Sequence, residues 1–215
     1  MLYLEDYGIC YPDGLKLHYG DIHVRKGELA GLFGPSGCGK TSLLESILNP
    51  DFPGRISFRT ALLDGEPLPK PGPELYRRVS YCPQFCQAAL NPKLTLREHI
   101  HLTCDGNRMR EDKEEICRLM SALHLEESVL SRRPGGLSGG QQQRMVLLLC
   151  ALKKPCLMIL DEPSSAIDLI TLKDMVFFLR EIKENGTAIL MVSHSYAFLE
   201  RAADHIIDLR EENSC

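Results

Sequence analysis

Short apolar runs alternate along most of the chain with segments whose apolar residues recur at helical spacing. Three runs, Glu28–Phe33, Cys156–Leu160 and Ala188–Val192, are continuous enough to predict strands that are buried on both faces. A glycine-rich turn follows the first run, and a helix is predicted directly after it over Thr41–Leu48. This alternation predicts an α/β fold built around a mostly parallel sheet.

The first 27 residues follow a different pattern, in which apolar and polar side chains alternate. Leu15–Leu17 and Ile22–Val24 both show it, and the turn formers Pro12-Asp13-Gly14 precede the first of them. Alternation of period two predicts a half-exposed, antiparallel N-terminal β-subdomain. The segment Ile56–Leu63, followed by Asp64-Gly65, gives a hairpin signal of the same kind.

Helical spacing replaces the strand pattern between about Pro92 and Arg133, which predicts a helical insert. Its apolar residues fall at i, i+3, i+4 and i+7, as Ile116, Leu119, Met120 and Leu123 do. The same spacing returns further along the chain, at Met145, Leu148, Leu149 and Leu152. We interpret this second set as the buried face of another helix.

Composition and charge exclude several classes of protein. With 215 residues and 44% apolar side chains, the chain can build the core of one ordinary domain. Its formal net charge of −4 supplies no basic field for nucleic acid, so no nucleic-acid partner is expected. The apolar run Met145–Leu152 falls well short of the roughly 20 residues that span a bilayer, and the acidic start Met1–Asp6 does not resemble a signal peptide. We therefore expect a cytoplasmic protein.

The cysteines and histidines give no pattern typical of a metal site. The chain has nine cysteines, an odd number, and none is arranged as CxxC; the nearest pair is Cys82 and Cys86. Reduced, mostly buried thiols are expected. His99 and His101 are two positions apart in the predicted helical insert, so they do not share a helix face and are not expected to bind metal.

The glycine-rich turn fits the P-loop pattern G-x-x-x-x-G-K-[ST] in the required position between a strand and a helix. Glycines allow successive backbone N–H groups to face one anion at a positive helix N-terminus. Lys40 would reach the β- and γ-phosphates of a nucleotide, and the Thr41 hydroxyl would bind Mg²⁺. The predicted phosphate-binding residues are Gly34, Pro35, Ser36, Gly37, Cys38, Gly39, Lys40, Thr41 and Ser42.

Two carboxylates end the apolar strand predicted over Cys156–Leu160. Asp161 is suited to Mg²⁺ coordination, and Glu162 is suited to orienting or deprotonating the water that attacks the γ-phosphate. Alone, this arrangement is often only a strand followed by a turn. Together with the upstream P-loop it predicts a nucleotide hydrolase.

The segment Leu137–Arg144, LSGGQQQR, identifies the family. Ser138 and Gln141 satisfy the capping box of a helix start, and a serine hydroxyl with two glycines at a helix N-terminus is also a phosphate-binding surface. The segment resembles the signature sequence of ABC ATPases, and the chain is similar to that family from end to end. The resemblance implies a P-loop NTPase (RecA-like) fold, MgATP as cofactor, and a second ABC ATPase subunit. It also implies that Ser138, Gly139, Gly140 and Gln141 bind the nucleotide of that partner subunit.

Further family motifs occur in the expected order. Gln84 resembles the Q-loop glutamine, which the family uses to contact Mg²⁺ and the attacking water, and His194 resembles the switch histidine at the γ-phosphate. Asp168 ends a segment similar to the D-loop, with Ile167 where leucine is usual. Tyr11 resembles the aromatic residue that stacks on adenine, although ordinary packing of a strand tyrosine remains the alternative. The implied catalytic residues are Glu162, His194, Gln84 and Lys40, and the implied Mg²⁺ ligands are Thr41, Gln84 and Asp161.

The same resemblance predicts how one domain, residues 1–215, is divided. Residues 1–84 and 155–215 would form the nucleotide-binding core with its antiparallel β-subdomain. Residues 85–154 would contain the Q-loop, the helical subdomain and the signature helix.

A subfamily resemblance suggests what the ATPase drives. Gln87–Ile100, which contains ALNP before a helix start, resembles the segment after the Q-loop in importers of peptides and nickel. It implies permease subunits as partners, a place on the cytoplasmic face of the membrane, and membrane contact through those partners only. A soluble ABC ATPase without a transporter is the alternative.

Two other classes fit less well. A P-loop GTPase or kinase would leave the signature segment unexplained, and the chain has no NKxD motif. A catalytically inactive ABC subunit is opposed by the presence of Lys40, Glu162, Ser138 and His194.

Overall fold

The structure is a computed structural model that describes residues 1–163 and 169–210, with the backbone alone over 169–172. Its strands are β1 Leu2–Glu5, β2 Gly8–Cys10, β3 Lys16–His18, β4 Ile22–Val24, β5 Leu29–Phe33, β6 Arg55–Ser57, β7 Thr60–Leu63, β8 Glu66–Pro67, β9 Val79–Cys82, β10 Leu157–Asp161, β11 Ala188–Ser193 and β12 His205–Asp208. Its α-helices are α1 Lys40–Leu48, α2 Pro73–Arg78, α3 Leu96–Gly106, α4 Lys113–Ala122, α5 Gly139–Leu152, α6 Leu169–Glu184 and α7 Tyr196–Ala202.

The central sheet has five parallel strands in the order β12-β5-β11-β10-β9. The three predicted buried strands are confirmed as β5, β10 and β11, and β11 lies between the other two. The side chains of β10 and β11 are buried on both faces, which explains why these strands lack polar alternation.

Antiparallel strands form two smaller sheets, in the orders β4-β1-β7-β8 and β3-β2-β6. The alternating N-terminal segment is therefore antiparallel, as predicted. The run Ile56–Leu63 is not one strand, however, because it divides between β6 in one sheet and β7 in the other. Arg59, between them, donates its backbone N–H to the Glu5 carbonyl at 2.9 Å. The hairpin across Asp64-Gly65 is present and joins β7 to β8.

The central sheet separates two hydrophobic cores. Residues of α1 and of the antiparallel sheets pack on one face with Leu157 and Ile159 of β10; we call this the nucleotide-side core. Residues of α3, α4, α5 and α6 pack on the other face with Met158 and Leu160; we call this the helical core. Successive residues of β10 thus point into opposite cores, as the pleat of a strand requires.

The expectations about histidines, cysteines and membrane spans can be compared with the described residues. His99 is buried, and its ring nitrogens lie 3.0 Å from the Asn91 backbone N and 2.7 Å from the Thr95 carbonyl, which is a satisfied core histidine. Across residues 1–163 and 169–210 no cysteine is in a disulfide and no cluster of potential ligands for a metal ion is found. None of the helices described is both long and apolar enough to cross a bilayer.

Candidate functional site

The predicted catalytic residues meet at the carboxyl edge of the parallel sheet. Gly34 follows β5, Gln84 follows β9, Glu162 follows β10 and His194 follows β11. Asp161 is the last residue of β10. Parallel strands bring their carboxyl ends to one edge, where ligands of such folds bind. Four segments that are far apart in sequence therefore reach one site.

The backbone of the P-loop needs glycine at two positions. Gly37 and Gly39 have φ values of 86° and 98°, in the left-handed region that favours glycine. A Cβ on Gly39 would also lie 2.8 Å from the Tyr19 hydroxyl oxygen and 3.0 Å from a Leu17 methyl group. The loop is accessible to solvent, since Ser36, Gly37 and Thr41 are exposed.

Helix α1 begins without a side-chain cap. Its N-cap residue, Gly39, supplies no acceptor for the first-turn N–H groups, whereas Thr95, Asp112 and Ser138 cap α3, α4 and α5. The first backbone N–H groups of a helix need an acceptor, and together they form its positive end. The uncapped start of α1 is therefore suited to bind an anion such as a phosphate.

Lys40 places its charge inside the P-loop. The side chain is 8% exposed, and its ammonium donates hydrogen bonds to the carbonyl oxygens of Gly34 at 2.6 Å and Pro35 at 3.0 Å. Those two carbonyls hold the ammonium beside the uncapped turn of α1. A phosphate bound there would bring a full negative charge to a cation whose hydrogen bonds are to these two neutral carbonyls.

Asp161 is a buried carboxylate with little compensating charge. Burial raises the pKa of Asp161, and a hydrogen bond from Tyr81 lowers it. The nearby charge of Glu162 raises this pKa further, and the charge of Lys40 lowers it. A raised pKa means that the ionised form is poorly stabilised in this structure. A bound cation would supply the missing positive charge.

The residues present fit Mg²⁺, which prefers oxygen ligands. Asp161 offers a buried carboxylate, Thr41 an exposed hydroxyl at the start of α1, and Gln84 a half-buried amide at the end of β9. When bound, Mg²⁺ would neutralise charge on the phosphates.

Glu162 lies in a strained and buried position. Its φ is 47°, in the left-handed region, and its backbone N–H donates to the Val192 carbonyl at 2.9 Å, which fixes that conformation. Its Oε2 lies 2.8 Å from Nδ1 of His194, yet the alignment is not that of a hydrogen bond, and among the described residues none donates a hydrogen bond to this buried oxygen. A buried carboxylate oxygen without a donor is costly, and it is free to accept a hydrogen bond from water.

The signature segment starts α5 as the capping box predicted. Ser138 Oγ accepts from the Gln141 backbone N–H at 3.2 Å, and Gln141 Oε1 accepts from the Ser138 backbone N–H at 3.0 Å. Ser138 and Gly139 are exposed, whereas Leu137 and the body of α5 belong to the helical core. The P-loop helix α1 belongs to the nucleotide-side core, so the two glycine-rich turns are carried by different cores. The phosphate-binding role of Ser138, Gly139, Gly140 and Gln141 stays a prediction.

Tyr11 follows β2 at the side of the site where the antiparallel sheets lie. Its half-buried ring packs edge-to-face on Phe52, with 5.7 Å between ring centroids. A cleft of about 840 Å³ next to the P-loop has the volume of a small-molecule site. Its walls include Cys10, Leu15, Leu17, His18, Cys38 and Arg210. Stacking of Tyr11 on adenine remains a prediction.

Three polar contacts at the site were missed from the sequence. Tyr19 donates its hydroxyl to the Gly39 carbonyl at 2.8 Å, and Tyr81 donates to Asp161 Oδ2 at 3.2 Å. Gln143 of α5 donates to the Pro163 carbonyl, directly after Glu162. Each joins residues that are at least 20 positions apart, so no local pattern marks it.

One predicted site residue cannot be placed. Asp168 and the rest of the D-loop segment, residues 164–167, lie outside the described residues.

Sequence comparisons agree with the geometry. The model of the family described as ABC transporter matches residues 17–165. A nickel import ATP-binding protein of Escherichia coli K12 is 32% identical over 196 residues, which are 86% of this chain and 71% of that protein. A probable metal transport system ATP-binding protein of Chlamydia trachomatis is 29% identical over 218 residues, 99% of this chain and 81% of that protein.

Another relative is considerably longer than this chain. An Fe(3+) ions import ATP-binding protein of Mesorhizobium japonicum is 38% identical over 200 residues, 86% of this chain. The chain spans about half of that protein, 53% of its length.

Solved structures share the fold. An ATP-binding subunit of an ABC transporter superposes with a TM-score of 0.81 at 26% identity, covering 97% of this chain and 86% of that one. A dimeric ATP-binding cassette in a post-hydrolysis state, bound to ADP and Pi, gives 0.78 at 23% identity, covering 97% and 94%. At that identity the second comparison supports the fold alone.

The strain at Glu162 predicts that Glu162→Gly stabilises the folded protein by about 1 kcal/mol in the absence of nucleotide, while abolishing hydrolysis. Glycine accepts the left-handed φ of this position, and the substitution removes a buried oxygen that has no donor. Urea denaturation measures the free energy of unfolding.

Asp64→Gly is the matched control, because Asp64 also has a positive φ of 58° but its side chain is exposed. The expected gain in the free energy of unfolding is smaller for Asp64→Gly, because aspartate tolerates this conformation and the substitution removes no buried charge. A Glu162→Gly protein less stable than the wild type would contradict the assignment of strain.

Proposed function

The chain belongs to the ABC transporter family of ATP-binding proteins, and from this premise we propose that it hydrolyses MgATP between two such subunits to drive a membrane permease. The observation that carries the proposal is the pairing of an uncapped helix start with two buried carboxylates. The first is suited to the phosphates of a nucleotide and the second to its metal ion. MgATP satisfies both at once.

Lys40 and the first turn of α1 would hold the phosphates. The Lys40 ammonium needs only to turn from the carbonyls of Gly34 and Pro35 to reach a phosphate beside them. The backbone N–H groups of Lys40, Thr41 and Ser42, at the start of α1, supply donors that already face one point. Little reorganisation is then required on binding, which is the basis of electrostatic stabilisation by a preformed site.

Glu162 would orient the attacking water. Its Oε2 has no donor in the structure, so it can accept a hydrogen bond from water and hold that water in line with the γ-phosphate. His194, 2.8 Å away, is 62% exposed at its side chain and can reach either the carboxylate or a phosphate oxygen. Catalysis of phosphoryl transfer depends mainly on such positioning and on charge stabilisation.

Two subunits would complete each site. The exposed Ser138 and Gly139 lie on the helical core, away from the core that carries the P-loop, so a second phosphate-binding turn is left facing outward. A closed, twofold pair in which each Ser138 meets the nucleotide of its partner uses both turns. ATP would then stabilise the dimer, and hydrolysis would release it.

A permease subunit is the partner we infer for the surface beside the Q-loop. Phe85, next to Gln84, is 74% exposed. A groove of about 310 Å³ between β9, α3 and α5 is walled by Ala89, Leu102, Val146 and Leu149. Exposed apolar surface of this kind suits a docking helix. The nickel and iron relatives are named as import proteins, which supports an importer of the peptide and nickel type. Contact with the membrane would be through the permease, on its cytoplasmic side.

Glu162→Gln tests the catalytic assignment. The amide keeps the size of the side chain but is a poor base, so the variant should bind ATP, dimerise with ATP and hydrolyse it at least about 100-fold more slowly. Phosphate release and analytical ultracentrifugation measure the two properties. Glu66→Gln, at an exposed position on β8, is the control. Wild-type turnover in Glu162→Gln would refute the role.

Ser138→Arg tests whether the signature serine serves the partner's nucleotide. The variant should lose ATPase activity and ATP-dependent dimerisation, while nucleotide binding by the monomer, measured by calorimetry, stays within about twofold of wild type. Thr95→Arg is the matched control variant, because Thr95 caps α3 with the same capping box that Ser138 forms at α5.

Both substitutions should cost about 1 kcal/mol of helix capping, and only Ser138→Arg should remove activity. Loss of nucleotide binding by the Ser138→Arg monomer would contradict the arrangement across two subunits.

A further inference from the structure

Tyr81 lies on β9, the edge strand of the central sheet next to β10. It is the register partner of Ile159, and Asp161 lies two residues beyond Ile159 on the same face of β10. Adjacent strands lie about 4.8 Å apart and each residue rises about 3.3 Å, so this diagonal is roughly 8 Å at the backbone, a gap that a long side chain can cross. The tyrosine hydroxyl crosses it and lies 3.2 Å from Asp161 Oδ2.

The direction of this hydrogen bond follows from the chemistry of its partners. An ionised carboxylate only accepts hydrogen bonds, so the Tyr81 hydroxyl donates. Within residues 1–163 and 169–210, no other hydrogen-bond donor reaches the Asp161 carboxylate. In the part of the chain that the structure describes, this hydroxyl group is therefore what orients the carboxylate at the end of β10.

The phenol ring is held at the surface rather than in a core. The residue is 38% exposed and lies on the same face of the sheet as Ile159, whereas its neighbour Ser80 points to the helical core and donates to the Cys150 carbonyl at 2.9 Å.

We propose that Tyr81 is a positioning residue for the metal site: its hydroxyl holds Oδ2 of Asp161, so that the carboxylate is presented to Mg²⁺ in one orientation. The inference rests on the proposed function, because it assigns Asp161 to Mg²⁺. Partners that orient a metal ligand commonly contribute about tenfold or more to metal affinity. Tyr81 itself does not contact nucleotide or metal in this account.

Tyr81→Phe removes the hydroxyl and keeps the ring. The test measures binding of a non-hydrolysable ATP analogue by calorimetry, first in EDTA and then with Mg²⁺, and takes the ratio of the two affinities. We expect the metal-free affinity to be unchanged and the gain produced by Mg²⁺ to fall about tenfold. Electron paramagnetic resonance with Mn²⁺ as the probe should show a matching loss of metal bound to the complex.

Tyr76→Phe is the matched control. Tyr76 also donates its hydroxyl, to the Leu48 carbonyl at 2.8 Å, but that contact lies at the end of α1 remote from the P-loop. Its removal should leave the gain produced by Mg²⁺ unchanged.

The outcomes separate this inference from the proposed function. An undiminished Mg²⁺ gain in Tyr81→Phe, or an equal loss with and without metal, would overturn the positioning role. A wild-type protein with no metal-dependent binding of the analogue would overturn the proposed function and this inference with it.

A second variant keeps the test decisive if Tyr81→Phe loses stability. In an Asp161→Asn background, Tyr81→Phe should not reduce the Mg²⁺ gain further, because the ligand it positions is already absent. A further tenfold loss in that background would show that Tyr81 acts elsewhere and contradict the proposal.

Discussion

Buried negative charge at the end of one central strand is the constraint on which the rest of the site depends. Asp161 and Glu162 are both buried and adjacent, and the buried Lys40 ammonium offsets their charge only in part, since the pKa of Asp161 is still raised. Buried carboxylates without full compensation are costly to a folded protein. The positive start of α1 and the Lys40 ammonium lie nearby but are directed to an anion. In the proposed function, a nucleotide with its metal ion would supply the charges that both halves of the site lack.

The chain separates its two glycine-rich turns by placing them on opposite faces of the sheet. The P-loop is packed with the nucleotide-side core, and the signature turn begins a helix of the helical core. Gln143 connects that helix to the carbonyl that follows Glu162, so movement of α5 and position of the catalytic loop are physically linked. In the proposed dimer, this contact would allow a movement of α5 against the partner subunit to change the position of Glu162.

Sequence patterns predicted the parts of this site that depend on residues close together in the chain. The P-loop, the two carboxylates and the capping box each depend on neighbouring residues, and the structure has β5, α1, β10 and α5 where those patterns placed them. Contacts between distant segments were not predictable: the hydroxyls of Tyr19 and Tyr81 reach the site only because sheet order brings their strands there. The division of Ile56–Leu63 between two sheets has the same origin, since both halves look like one strand in isolation. The division of the chain at residues 85 and 155 remains a prediction.

The central claim is that each nucleotide is held by the P-loop of one subunit and the signature serine of the other. The most direct measurement is the structure of Glu162→Gln protein trapped with MgATP. The expected structure is a dimer in which Ser138 Oγ lies at hydrogen-bond distance, about 3 Å, from the γ-phosphate bound to the partner's P-loop. A trapped complex in which Ser138 faces solvent, or contacts the nucleotide of its own chain, would contradict it.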